Sequence, residues 1–165
     1  MKKFCFVMML VLVQGISYSQ ETLRDGIYRI DQSSGNRLSL QRDRASIEFN
    51  PFFVEEEPEK YDPIVICTDD FVPFELAGMP VIQPQNDREN LLLVQLTEKA
   101  TGRLSEFTTK NIRNQVVVVV NGQALVIYKI IAPVTSGFIK VTPCSSQGCS
   151  LIYRSLKRTV NLNRS

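Results

Sequence analysis

Val116 to Val120 is a run of five consecutive β-branched residues, followed by Asn121-Gly122 and then by Ala124-Leu125-Val126-Ile127-Tyr128-Lys129-Ile130-Ile131. A strand without alternation has no polar face, so it must be covered on both sides. The run therefore predicts a central strand. Asn-Gly tolerates the positive φ values of a tight I′ turn, and a second β-rich run follows at once, so the two runs predict a hairpin turning at Asn121 and Gly122.

The first residues fall outside fold reasoning. Lys2 and Lys3 precede an apolar run from Phe4 to Val13, and Ser17-Tyr18-Ser19 supplies small residues before Gln20. This is the pattern of a secretory signal peptide over residues 1–19. A core of that length is about half of the ~20 residues that a spanning helix needs, and Lys129 interrupts the longest later apolar run. The expectation is an exported chain, periplasmic or extracellular, with no transmembrane segment after signal removal. The remaining residues are enough for one domain with a real core.

Once Lys2 and Lys3 are set aside, 17 basic residues face 17 acidic ones. Residues 20–96 carry 15 Asp/Glu and 7 Lys/Arg, whereas residues 97–165 carry 2 and 10. Such asymmetry serves an anionic partner through the C-terminal half, or the halves neutralise each other within the fold or in a charge-driven homo-oligomer. Nucleic acid is not an expected partner, because the basic residues do not interleave with aromatics. Cys144-Ser-Ser-Gln-Gly-Cys149 is a loop able to close as a disulfide in an oxidising compartment. Cys67 is then left over as a small buried hydrophobe between Ile66 and Thr68. Three cysteines in the mature chain and no histidine lack the usual zinc ligand mix, and no cofactor is implied.

Gly26 to Ile30 predicts a strand, Ser33-Ser34-Gly35-Asn36 a turn, Leu38-Ser39-Leu40 a second strand and Ala45 to Phe49 a third, together a small β-meander. Glu55 to Lys60 is a solvated acidic loop without the pattern of a calcium site. Pro63 to Cys67 predicts a short buried strand, and Thr68-Asp69-Asp70 a capped helical turn limited by Pro73. Gly78 to Asn90, with Pro80 and Pro84, reads as a linker-like loop. Leu91 to Leu96 is of strand length. Thr97 then caps a helix whose apolar positions Ala100, Leu104 and Phe107 share one face, with Gly102 costing ~1 kcal/mol. Ser136-Gly137 predicts a turn into the alternating strand Phe138 to Thr142. Leu151, Ile152, Leu156 and Val160 fit either the apolar side of a short basic helix or a further strand. The fold class is α+β: an antiparallel or mixed sheet with one or two helices packed on a face, preceded by the small meander.

Leu96-Thr97, Leu104-x-x-Phe107-Thr108-x-x-Asn111, the apolar strand, Asn121-Gly122, the second arm and Ser136-Gly137-x-x-x-Val141 resemble the head subdomain of the first periplasmic domain of SecD, part of the protein-export component SecDF. The resemblance covers roughly residues 91–142. It departs at Arg113, where the family has glycine, at Val126-Ile127-Tyr128 in place of Ser-Ala-Pro, at Asn121 in place of Asp, and at Pro143 in place of glycine. It divides the mature chain into an N-terminal β-rich region, 20–90, and a head-like region, 91–165, expected to form one compact unit. In that family the head is thought to contact polypeptide leaving the translocation channel. The resemblance thus implies an exported, non-enzymatic binding or accessory domain for a polypeptide or envelope component.

Binding of extended polypeptide would use a sheet edge or a groove between helix and sheet. Candidate binding residues are Asn111, Arg113, Tyr128 and Phe138. A structural, self-assembling envelope protein is the alternative. A hydrolase is disfavoured: without histidine, Ser-His-Asp and Cys-His mechanisms are unavailable, which leaves Asp69 and Asp70 as the one carboxylate pair to nominate.

Overall fold

The computed structural model describes residues 23–32, 43–49, 62–86, 90–144 and 146–162. The signal peptide over 1–19, the turn at 33–36, the strand at 38–40 and the acidic run at 55–60 lie outside these residues. Ten elements follow one another: β1 (Gly26–Ile30), β2 (Arg44–Ile47), β3 (Ile64–Pro73), β4 (Val81–Pro84), β5 (Asn90–Gln95), α1 (Glu98–Lys110), β6 (Gln115–Val120), β7 (Gln123–Lys129), β8 (Phe138–Cys144) and α2 (Ser146–Leu162). The class is α+β, with mostly antiparallel strands and two helices. The strands form two sheets rather than one, a five-stranded sheet in the order β2-β3-β1-β6-β7 and a three-stranded sheet in the order β4-β5-β8.

The valine run is β6, an inner strand between β1 and β7, and all five valines are buried. Their side chains divide by parity. Val116, Val118 and Val120 enter a large core with Ile27, Val72, Leu92, Val94, Val141 and the apolar faces of both helices. Val117 and Val119 enter a second core with Tyr28, Ile30, Ile47, Ile66 and Ala124.

The second core is covered by the sheet itself. Ile47 ends β2 at one edge, yet Phe49, two residues on, bridges Ala124 of β7 at the opposite edge. Two residues reach roughly 7 Å, whereas five flat strands would hold those edges roughly 19 Å apart. The sheet is therefore curled until its edges meet, and Tyr28, Ile30, Ile47, Ile66, Val117 and Val119 fill the concave side. Asn121 (φ 53°) and Gly122 (φ 73°) take the left-handed conformations expected of the turn, which the Asn121 N–H reinforces by donating to Asp25 Oδ1 at 2.7 Å.

The small N-terminal strand region is present, with β3 inserted between β1 and β2. Thr68-Asp69-Asp70 does not make the expected helical turn but continues β3. Pairing shifts from Tyr28↔Phe71 to Arg29↔Cys67, so these three residues bulge opposite a single step of β1, and the Thr68 N–H donates to Asp43 O at 2.8 Å. The cap-like composition is used by a bulge. Likewise Gly78 to Asn90 is not a linker throughout, because Val81–Pro84 pairs with Leu93–Asn90. Proline is compatible with such an edge strand.

Thr97 caps α1 as expected, its hydroxyl accepting from Ala100 N–H at 3.3 Å, and Ala100, Leu104, Phe107 and Thr108 are buried. The C-terminal ambiguity resolves to helix: α2 begins at Ser146 and buries Cys149, Ile152, Leu156 and Val160. Cys149 thus lies in the helix rather than in a loop.

Tyr28 stacks on Phe71 with ring centroids 4.6 Å apart and donates its hydroxyl to Arg24 O at 2.8 Å. Burial, aided by the charge of Asp25, pushes its pKa up to about 12. An unfolded tyrosine ionises near pH 10, so below that both states are neutral and the stability the phenol contributes is fully present and independent of pH. Between pH 10 and 12 the unfolded chain loses the proton first, and stability falls as pH rises. The urea midpoint is expected to drop more steeply across this window in the wild type than in Tyr28→Phe; parallel profiles would contradict the assignment.

Candidate functional site

In the small sheet Leu92, Val94, Ile139 and Val141 point into the large core, where α2 packs. Alternation places Leu93, Gln95, Phe138, Lys140 and Val81 on the other face, and the register aligns Val81 with Leu93, Leu93 with Lys140 and Gln95 with Phe138. No helix covers this face among the described residues. Phe138 is 42% exposed and Val81 49%, with Met79 also exposed two residues before Val81. The face is a shallow apolar surface carrying one cation, Lys140.

Its two edges differ. Ala77 N–H donates to Gln95 O, while Leu96 N–H donates to Gly137 O, so odd-numbered residues of β5 address β4 and even-numbered ones address β8. Val81 and Gln83 then bond inward to Leu93 and Leu91, leaving Ile82 and Pro84 directed outward. Pro84 has no N–H, so Ile82 offers the sole outward donor within β4. Strand addition there is limited to a short contact. On the other edge, the Tyr128 hydroxyl donates to Lys140 O and so bridges β7 to β8.

The four candidate binding residues are thus placed apart in role. Phe138 lies on the open face. Tyr128 is half-buried against the large core and tied to β8. Asn111 is buried at the C-terminus of α1, where its backbone and side-chain N–H groups both donate to Phe107 O at 3.0 Å and its Oδ1 accepts from Asn114 at 3.1 Å. Arg113 is exposed with φ 72°, and its N–H donates to Ile130 O at 2.8 Å. That positive φ accounts for a glycine at this position in the SecD pattern. Gly137, also at positive φ, packs where a Cβ would strike the Thr101 side chain. Sequence reasoning missed Met79 and Val81, hidden in a proline-flanked stretch. The available signal was the β-branched pair Val81-Ile82 between Pro80 and Pro84, with Met79 just before it.

Asp69 and Asp70 do not converge. Asp69 is exposed, whereas Asp70 Oδ2 accepts from Arg29 Nε at 3.0 Å and Asn111 Nδ2 at 3.4 Å, with Lys110 Nζ 3.8 Å away. Asp70 joins β1, β3 and α1. Among the described residues no group of three or more His, Cys, Asp or Glu gathers as a metal site. Cys67 is buried and free; burial pushes its thiol pKa up, partly offset by Arg29. Cys149 is disulfide-bonded, while the expected partner side chain, Cys144, lies outside the described ones.

Asp70→Asn is expected to cost about 1–3 kcal/mol in urea unfolding, as one charged acceptor serves two donors and faces a second cation, and Asp69→Asn about 0.5 kcal/mol or less. Equal effects would remove Asp70 from this bridging role. Thiol titration of residues 20–165 is expected to find Cys67 unreactive until unfolding, and two further thiols only after reduction. More than one thiol without reductant would refute the Cys144–Cys149 pairing.

No protein-family model matches the chain, and no curated protein matches it. Among solved structures, the chain is similar to one described as a membrane component SecDF that enhances protein export, with 19% identity and a TM-score of 0.51 over 81% of this chain and 64% of that one. It is also similar to SecDF in a super-membrane-facing form, with 18% identity and a TM-score of 0.46 over 81% of this chain and 19% of that one. The chain spans less than two thirds of either. The first likeness shows a shared fold, and it extends well beyond the third of the chain that carries the sequence resemblance.

Proposed function

We propose that the chain is an exported, non-enzymatic accessory domain that holds extended, non-native polypeptide on the open face of its small sheet. The observation that carries this reading is the uncovered face itself: Val81 and Phe138 are exposed on the face of Leu93, with Met79 exposed just before β4, while Leu92, Val94, Ile139 and Val141 pack the other side into the core. An extended chain laid across it meets apolar side chains at alternate positions, and Lys140 offers a donor to a backbone carbonyl or carboxylate. The fold shared with an export component supports a polypeptide as the ligand. Binding by the face rather than the edge follows from Pro84 and from the Tyr128 bridge. We further take residues 20–90 and 91–165 as one folding unit, because β1 and β3 share a sheet with β6 and β7.

The competing readings have less behind them. Arg103 pairs with Glu75 at 2.6 Å, and Lys110 lies 3.8 Å from Asp70. The basic and acidic halves thus meet within one chain, which removes part of the drive for charge-based self-assembly. A carboxylate hydrolase loses its nominated pair, since Asp70 is committed to Arg29 and Asn111.

Fluorescence anisotropy with a reduced, alkylated and permanently unfolded protein is expected to show saturable binding. Phe138→Ser and Val81→Lys should each weaken it about tenfold, the ~1.4 kcal/mol typical of an interface anchor. An Arg113→Ala control should leave it unchanged. Absence of saturable binding, or indifference to both face variants, would overturn the proposal.

A further inference from the structure

α2 exposes Leu151, Arg154 and Lys157, with Leu151 43% accessible. No acidic residue follows Glu106 in the sequence, so α2 carries none. Among the described residues neither Arg154 nor Lys157 lies within ion-pair distance of a carboxylate, whereas Arg103 and Lys110 of α1 each face one. The positive excess of the C-terminal half, balanced on α1, is left unbalanced on α2. On the flank of Leu151 away from these cations, a groove of about 260 Å³ runs between α2 and the β6–β7 hairpin, lined by Val120, Leu125, Leu151, Ile152 and Ser155 among others.

We propose that this face of α2 docks the domain on an anionic phospholipid bilayer. Headgroup phosphates complement Arg154 and Lys157, and the exposed Leu151 with its adjoining groove meets the upper acyl region. An acidic polypeptide would satisfy the two cations but would leave the leucine without an apolar counterpart. The small sheet separates α2, on its core side, from the open face that carries Val81 and Phe138, so this inference stands independently of the polypeptide-binding reading.

Co-sedimentation of the mature chain with phosphatidylglycerol-containing vesicles tests it, with pure phosphatidylcholine vesicles and soluble polyglutamate as comparison arms. The expected result is sedimentation with the anionic vesicles alone, weakening as salt rises. Arg154→Glu/Lys157→Glu should reduce partitioning at least about tenfold, and Leu151→Ser should reduce it several-fold. Lys99→Glu/Lys129→Glu, the same change in net charge placed elsewhere, should have little effect. Circular dichroism checks folding, and Arg154→Gln/Lys157→Gln substitutes where the reversal unfolds the helix. The proposal is overturned by absence of sedimentation at low salt or by an equal loss in the control variant. Polyglutamate binding as tight as vesicle binding and indifferent to Leu151→Ser would also overturn it, in favour of an acidic polypeptide.

Discussion

A strand with no polar face needs apolar cover twice over, and that requirement shapes the whole molecule. Val116, Val118 and Val120 are covered by the helices and the small sheet, and Val117 and Val119 by the concave side of their own curled sheet. Curling brings Phe49 to Ala124 and closes one core without a helix. Both helices are then free to pack on the large core. A flat five-stranded sheet would have exposed Val117, Val119, Tyr28 and Ile66 together, a patch large enough to drive association.

Local chemistry made much of this legible. Thr97 with the spacing of Ala100, Leu104 and Phe107 predicted the start of α1 and its buried face, because a cap and a stripe are local properties. Asn121-Gly122 predicted its turn for the same reason. The failures share one cause, competition between local propensity and a distant partner. Thr68-Asp69-Asp70 has helix-start composition, yet β1 pairs on either side of it and Arg29 claims Asp70. Val81–Pro84 has loop composition, yet Leu91–Leu93 offers it a register. Splitting the strands into two sheets was not readable, because β5 and β6 are equally apolar and only tertiary pairing distinguishes them.

The same limit applied to the site. Asn111, a candidate binding residue by sequence, has a structural account: it closes α1 and reaches Asp70. Arg113 differs from the SecD pattern at a position whose positive φ suits glycine, so the departure carries some backbone strain and leaves the loop geometry in place. Tyr128, in the segment that departs most from that pattern, ties the curled sheet to the small one. Phe138 alone among the four lies on the open face of the small sheet.

Charge and apolar exposure are distributed so as to give the small sheet two distinct sides. On the core side lies α2, with cations that no carboxylate among the described residues neutralises; on the other lies the face of Val81, Leu93 and Phe138. The ion pairs of Arg103 with Glu75 and Lys110 with Asp70 fasten α1 to the chain segments around β3, and they consume the basic residues nearest the acidic half. Other basic residues of the C-terminal half are scattered singly at Lys99, Arg113, Lys129 and Lys140, except on α2, where Arg154 and Lys157 gather with no acidic residue on the helix. Because α1 and α2 contribute to one continuous core, a partner on α2 would fix the orientation of the open face without touching it. Separate faces on one rigid body allow a domain to be anchored and to bind at the same time, which a single shared surface would forbid.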